Sequence, residues 1–144
     1  MRIYPLLSLL IFFSATAFTP STGLLELTVV NVKGDQGRIW VGIYESEADF
    51  LDREKARLIE MKVDKAGKMV IPIQELQFGE DYALAIFHDV NDNGELDTNF
   101  LGLPKEPWAF SGEPKTRLRL PQFKEVNFTF DQRSAKQVVR LRKW

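Results

Sequence analysis

The chain has 144 residues, 27% charged and 44% hydrophobic, with 19 basic against 20 acidic side chains and no cysteine. This near-neutral balance gives no sign of the basic face that nucleic-acid binding requires. The missing cysteine excludes disulfides, thiol catalysis, a cysteine-linked lipid anchor and thiolate-bound zinc.

The N-terminus reads as a targeting segment. Arg2 supplies a positive start, residues 6–13 are an apolar run interrupted only by Ser8, and Ala15-Thr16-Ala17 matches a small-residue cleavage site. The run is far short of the roughly 20 apolar residues that span a bilayer. A signal peptide over residues 1–17 is expected, followed by one domain over 18–144. The protein is then exported, periplasmic or secreted, and not membrane-spanning. Removing Arg2 leaves 18 basic against 20 acidic side chains, a net charge of about −2.

Strands and turns then follow one another. Residues 24–32 predict a first strand and 33–37 a hairpin turn. In 38–44, Ile39, Val41 and Ile43 share one face and Arg38, Trp40 and Tyr44 the other. Residues 45–56 are charged, with Phe50 and Leu51 as apolar anchors, and predict a short helix or an irregular crossover. Residues 58–63 alternate again, with Ile59, Met61 and Val63 inward. Residues 68–73 run back, and Pro72 marks an edge strand because proline cannot donate to a ladder. Residues 82–88 are apolar almost throughout, as a central strand should be. Tyr82 at its start suits a tyrosine corner. Residues 98–123 form a 26-residue connection with four prolines. Connections of that length are uncommon in compact domains and are often functional. Residues 126–130 and 137–141 close the domain. Seven strands with regular turn spacing predict an all-β, antiparallel Greek-key sandwich.

The densest motif is Asp-Val-Asn-Asp-Asn-Gly-Glu-Leu-Asp at 89–97. Oxygen-bearing side chains fall at loop positions 1, 3, 5 and 9, with Gly at 6 and Leu at 8, in the register of an EF-hand calcium loop. Alternate residues of such a loop can aim oxygens at a hard cation. The expected ligands are Asp89, Asn91, Asn93 and Asp97, with the carbonyl of Glu95, around a structural calcium. Asp92 points outward in this scheme. Position 12 is Phe100 where a glutamate is expected, so the last oxygen must come from Glu106, Glu113, Asn99 or water. The simpler alternative is a β-turn rich in Asn, Asp and Gly that needs no metal.

His88 is the only histidine. It either serves as a catalytic base or metal ligand, or hydrogen-bonds at the strand end and orients the loop. Zinc would recruit several His or Cys ligands, and no second histidine exists. Phe100, Trp108 and Phe110 either form a platform for a sugar or peptide or pin the long connection onto the sandwich. Lys115, Arg117 and Arg119 alternate with apolar neighbours and read as a solvated edge.

His88-Asp89, Asn91, Asn93-Gly94, Leu96-Asp97-Thr98-Asn99-Phe100-Leu101-Gly102 and Pro104-Lys105-Glu106 form one gapless block. It resembles the signature of the bacterial domain of unknown function 2141. The likeness extends over the leading hairpin, the Phe50-Leu51-Asp52 anchor and the strand containing Tyr82-Ala83. Pro107 departs from the family pattern. The resemblance implies a small exported sandwich of prealbumin-like or immunoglobulin-like type and leaves the function open. Three functional readings follow. The first is a non-enzymatic, calcium-stabilised module that binds a protein or carbohydrate partner through residues 98–123, with His88, Asn99, Phe100, Glu106, Trp108 and Phe110 as loop or partner residues. The second is a metal-assisted hydrolase using His88 and the cluster at 89–97. The third is a structural subunit of a cell-envelope complex.

Overall fold

A computed structural model describes residues 21–116 and 119–143. The signal segment expected at 1–17 and the side chain of Arg117 lie outside the described residues. The elements are β1 (Thr22–Val32), β2 (Arg38–Tyr44), β3 (Arg57–Lys62), β4 (Gly67–Gln77), β5 (Asp81–Asp89), β6 (Trp108–Phe110), α1 (Phe123–Val126), β7 (Phe128–Thr129) and β8 (Lys136–Arg140). They form a three-stranded sheet, β4-β1-β8, and a five-stranded sheet, β3-β2-β5-β6 with β7 also paired to β5. None of the described helices is long and apolar enough to cross a membrane.

Period-two alternation builds the core between the sheets. Leu25, Leu27 and Val29 of β1, Ile39, Val41 and Ile43 of β2, Ile71 and Ile73 of β4, and Leu84 and Ile86 of β5 are all buried there. Each such side chain contributes about 1.5–3 kcal/mol relative to exposure. Tyr82 belongs to the same cluster, and its phenol oxygen accepts the Gln77 N–H at 3.0 Å, as a tyrosine corner requires. β4 is the edge of its sheet, where Pro72 was expected.

The structure corrects the sequence reading in three places and decides between two alternatives in a fourth. The described residues form eight strands, not seven. The sandwich is not wholly antiparallel, because β8 runs parallel to β1. Of the two readings for residues 45–56, a short helix or an irregular crossover, the crossover holds, because the segment forms turns. The Phe50 ring holds them down, packing edge-on against Tyr44 at 5.4 Å and Phe123 at 5.9 Å. The long connection is interrupted by β6, which pairs with β5 from Ala85↔Phe110 to Phe87↔Trp108. Three residues are too few for an alternation signal. β6 also joins the sheets, because the Trp108 N–H donates to Arg142 O at 2.8 Å and the Arg142 N–H donates back to Trp108 O at 2.9 Å.

Candidate functional site

The site is built where β5 ends. Alternation aims Tyr82, Leu84, Ile86 and His88 into the core and Ala83, Ala85, Phe87 and Asp89 at the opposite face. His88 is fully buried, and its Nε2 lies 2.8 Å from Gln36 O. A carbonyl can only accept, so Nε2 carries the proton. Nδ1 is then a bare acceptor with no partner among the described residues. Gly37, next to Gln36, has φ +78°, and a Cβ there would lie 1.9 Å from Asp89 O. His88 and Gly37 together lock the β1–β2 turn onto the end of β5.

Asp89 is also fully buried. Its Oδ1 accepts the Asn93 N–H at 3.1 Å, and its Oδ2 accepts the Gly94 N–H at 2.7 Å and the Trp40 indole N–H at 3.3 Å. Gly94 turns at φ +80°, a backbone conformation that disfavours other residues. Asn91 Oδ1 accepts the Asn93 N–H at 3.3 Å, and Asn93 Oδ1 accepts the Glu95 N–H at 2.9 Å. The two amide groups, Nδ2 of Asn91 and of Asn93, donate to the Asp97 carboxylate at 2.8 and 3.3 Å. Asp92 points outward to Arg38 at 2.7 Å, as expected.

The next carboxylate closes the loop. Glu106 is nearly buried and accepts the Val90 N–H at 2.7 Å and the Asp97 N–H at 3.1 Å. Glu113, the other candidate for the missing ligand, pairs instead with Arg142. Between these braces, residues 98–104 form a small lobe. Asn99 Oδ1 accepts the Leu101 and Leu103 N–H groups at 2.9 and 3.0 Å, and Thr98 bridges Pro104. At the tip, Phe100 is 95% exposed and Leu101 67%. Phe100 therefore pins nothing, whereas Trp108 and Phe110 are half-buried and do, their rings 5.5 Å apart.

Four of the five expected metal ligands thus have their side chains in one hydrogen-bonded cluster, and Glu106 folds back onto it. The oxygens of Asn91 and Asn93 are engaged with backbone N–H groups. Among the described residues, no group of three or more His, Asp or Glu side chains is placed to hold a metal ion. His88 does not join the cluster, because it faces the other side of β5. The histidine–carboxylate pairing that a hydrolase would need is not assembled.

The sequence reading missed a groove. Beside the lobe, an open apolar cavity of about 440 Å³ is floored by Ala85, Phe87 and Phe110 and walled by Leu103, Pro104 and Pro121. Leu51, Leu96 and Leu120 also line it, and its polar side chains are Thr116 and Arg119. The signal was present in the sequence. Leucines at 96, 101, 103 and 120, interleaved with four prolines, are more apolar than a solvated loop needs. Arg119 is held by a two-pronged ion pair to Glu125 at 2.8 and 2.9 Å. That pair, with the Gln122 N–H, holds the Glu125 carboxyl down at about 2. A smaller cleft of about 300 Å³ lies at the seam between β6 and β8, where Arg142 meets Glu113.

With this geometry in place, one comparison is decisive. Residues 27–138 match the family described as an uncharacterized protein conserved in bacteria, domain of unknown function 2141. The chain belongs to this family. No curated protein and no solved structure matches the chain significantly. The family match spans the whole braced turn, the lobe and the groove, so these are parts of the domain itself.

Proposed function

We propose that this member of the family is an exported, non-catalytic binding module that takes up an apolar group in the groove beside the 98–104 lobe. The observation that carries this reading is the groove itself. At about 440 Å³ it falls within the roughly 300–1,000 Å³ range of small-molecule sites, and its lining is apolar with two polar side chains. Of the partner classes open to the sequence, a carbohydrate suits it poorly, because sugar hydroxyls would find few hydrogen-bond partners there. The apolar part of a protein or of a smaller ligand suits it well. A sandwich of prealbumin-like or immunoglobulin-like Greek-key type accords with binding through connecting loops. A structural envelope subunit is the same reading with a permanent occupant.

Titration with the neutral apolar dye Nile red tests this reading. Saturable one-to-one binding to the folded protein is expected. Leu103→Asp should abolish it with the circular dichroism spectrum unchanged. Absence of saturable binding rejects the reading.

The convergence of Asp89, Asn91, Asn93 and Asp97 favours a second element, a calcium clamp under the lobe. To coordinate an ion, the Asn91 and Asn93 amides would turn their oxygens inward and give up their backbone bonds. A weak extracellular-type site with Kd of about 10⁻⁴ M would gain about 1.4 kcal/mol at tenfold excess of calcium. Calorimetric titration and melting with and without chelator measure it. No heat and no shift in Tm would remove the ion from the reading.

A further inference from the structure

At the seam between the sheets, β8 presents a strand edge that is paired at one end only. Alternation sets its two sides. Gln137 and Val139 bond to β1, in line with the Glu26 N–H donating to Ala135 O at 2.9 Å and the Leu141 N–H to Val30 O at 3.0 Å. The N–H and C=O groups of Lys136, Val138 and Arg140 therefore point away from β1. Arg142, next in this series, closes a rung with Trp108. β6 runs antiparallel there, so the following rung would join Arg140 to Phe110, and the strands part before it. Phe110 turns its backbone away from β5 as Trp108 does, because the flanking bonds to β5 belong to Pro107 and Ser111. Among the described residues, the outward backbone groups of Lys136, Val138, Arg140 and Phe110 have no hydrogen-bond partner. A cleft of about 300 Å³ opens where the strands part, between Val138, Val139 and Arg140 on one side and residues 110–114 on the other. The opposite edge of the same sheet differs, because Pro72 on β4 cannot donate to a ladder. An unpaired edge beside open space accepts an extended peptide, whose backbone supplies the missing donors and acceptors.

Register fixes what that peptide should carry. On the outer face of the sheet, Val30 lies between Lys68 and Arg140, Thr28 between Val70 and Val138, and Glu26 between Pro72 and Lys136. These nine positions hold three cations and one carboxylate, and Glu26 is already paired with Lys136 at 3.3 Å. Arg140 and Lys68 make no ion pair among the described residues. Glu113, the carboxylate that lines the cleft, is held by Arg142. Val138, 70% exposed, stands between Lys136 and Arg140 along the edge. A strand laid against β8 sets one side chain beside each of Arg140, Val138 and Lys136, and the matching order is acidic, apolar, acidic. A second copy of β8 does not match. An antiparallel pair centred on Val138 would set Lys136 against Arg140 at both ends, and like charges directly opposite destabilise a ladder. None of the described strands of this chain carries acidic, apolar and acidic residues at alternate positions.

We propose that the free edge of β8 receives an extended segment of a partner protein with acidic, apolar, acidic alternation, which joins the three-stranded sheet as a fourth strand. This inference stands apart from the groove reading above.

Fluorescence anisotropy with the labelled, end-capped peptide Thr-Glu-Val-Val-Val-Glu-Thr tests it at low salt. Saturable one-to-one binding is expected. The same peptide with lysine in place of both glutamates should bind about tenfold more weakly, because two favourable pairs become like-charge pairs. N-methylation of the three valines removes backbone donors and keeps every side chain, and should weaken binding about a hundredfold. On the protein, Arg140→Glu should weaken the acidic peptide about tenfold and strengthen the lysine peptide. Val138→Pro removes an outward N–H without breaking a bond to β1, and should abolish binding with the circular dichroism spectrum unchanged. Arg140→Glu, at an exposed position, keeps the test decisive if the proline variant fails to fold. Absence of saturable binding overturns this inference. So does equal affinity for the two charged peptides, or for the N-methylated one. Displacement of Nile red by the acidic peptide would place it in the groove instead and overturn it as well. A dimer of the protein alone in sedimentation equilibrium, dissolved by Val138→Pro, would assign the edge to a second copy and also overturn it.

Discussion

Two adjoining stretches of the same loop stand in contrast. In residues 89–97, Asp89, Asn91, Asn93 and Asp97 engage N–H groups of the loop, of one another and of Trp40. In residues 98–104, the backbone is equally well braced by Asn99, yet Phe100 and Leu101 stand in solvent. The polar residues that look most like a ligand set are occupied with holding the turn. The apolar residues that look like structural filler are available. A turn stiffened by carboxylates can hold apolar side chains out of the core, where they would otherwise collapse.

Substitutions that loosen the polar half should therefore cost stability, and those in the apolar half should cost binding alone. The largest effect is expected at Gly37→Ala. The new methyl would meet Asp89 O at 1.9 Å with φ at +78°. A loss of more than about 3 kcal/mol is expected in urea unfolding. A change under about 1 kcal/mol would mean the two turns are not locked together. Next, Asp89→Ala strands the Asn93 and Gly94 amides and the Trp40 indole, at about 1–3 kcal/mol for each buried donor left unpaired. A loss of about 3 kcal/mol overall is expected, because water will reach part of the exposed loop. Glu106→Gln keeps one acceptor oxygen and should cost about 1–2 kcal/mol, because one of the Val90 and Asp97 amides loses a charged partner. If Asp89→Ala were neutral without calcium and destabilising with it, the braces would belong to the ion and not to the loop.

Acid separates the groove's wall from the turn. Glu125 has a pKa of about 2 when folded, below its ordinary 4.5, chiefly through Arg119. A depressed carboxylate contributes stability above its unfolded pKa and loses it as pH falls. Melting temperature should therefore drop between about pH 4.5 and 2 by an amount that Glu125→Gln removes. An unchanged acid profile in that variant would show the pair with Arg119 to be immaterial. The smallest effect on stability is expected for Phe100→Ser with Leu101→Ser, within about 0.5 kcal/mol each for such exposed side chains. The same pair should weaken Nile red binding several-fold, and equal dye affinity would confine binding to the groove floor.

Much of this was legible in the residues. The alternation of Ile39, Val41 and Ile43, the uniformly apolar stretch before His88, Pro72 at an edge and Tyr82 at a corner all lie where they were expected, because each depends on neighbours one or two positions away. The block from His88 to Glu106 also identified the family. The turn at 89–97 was located correctly from its Asn, Asp and Gly content. Its local pattern alone could not decide what its oxygens bind, because a carboxylate that accepts N–H groups and one that awaits a cation have the same sequence.

What the amino-acid order determined by itself was therefore the local part: strands, their inward and outward faces, the tight turn and the stiffness of a proline-rich connection. These follow from backbone periodicity and turn preference. Tertiary structure alone decided that β8 lies parallel to β1, that β6 pairs with β5 and bridges Arg142, and that Glu106 returns to Val90 and Asp97. It also decided that Leu51, Phe87, Leu103 and Pro121 meet around one groove. These contacts join residues far apart in the chain. They depend on which surfaces remain uncovered once the sandwich has closed, and no short window of sequence carries that information.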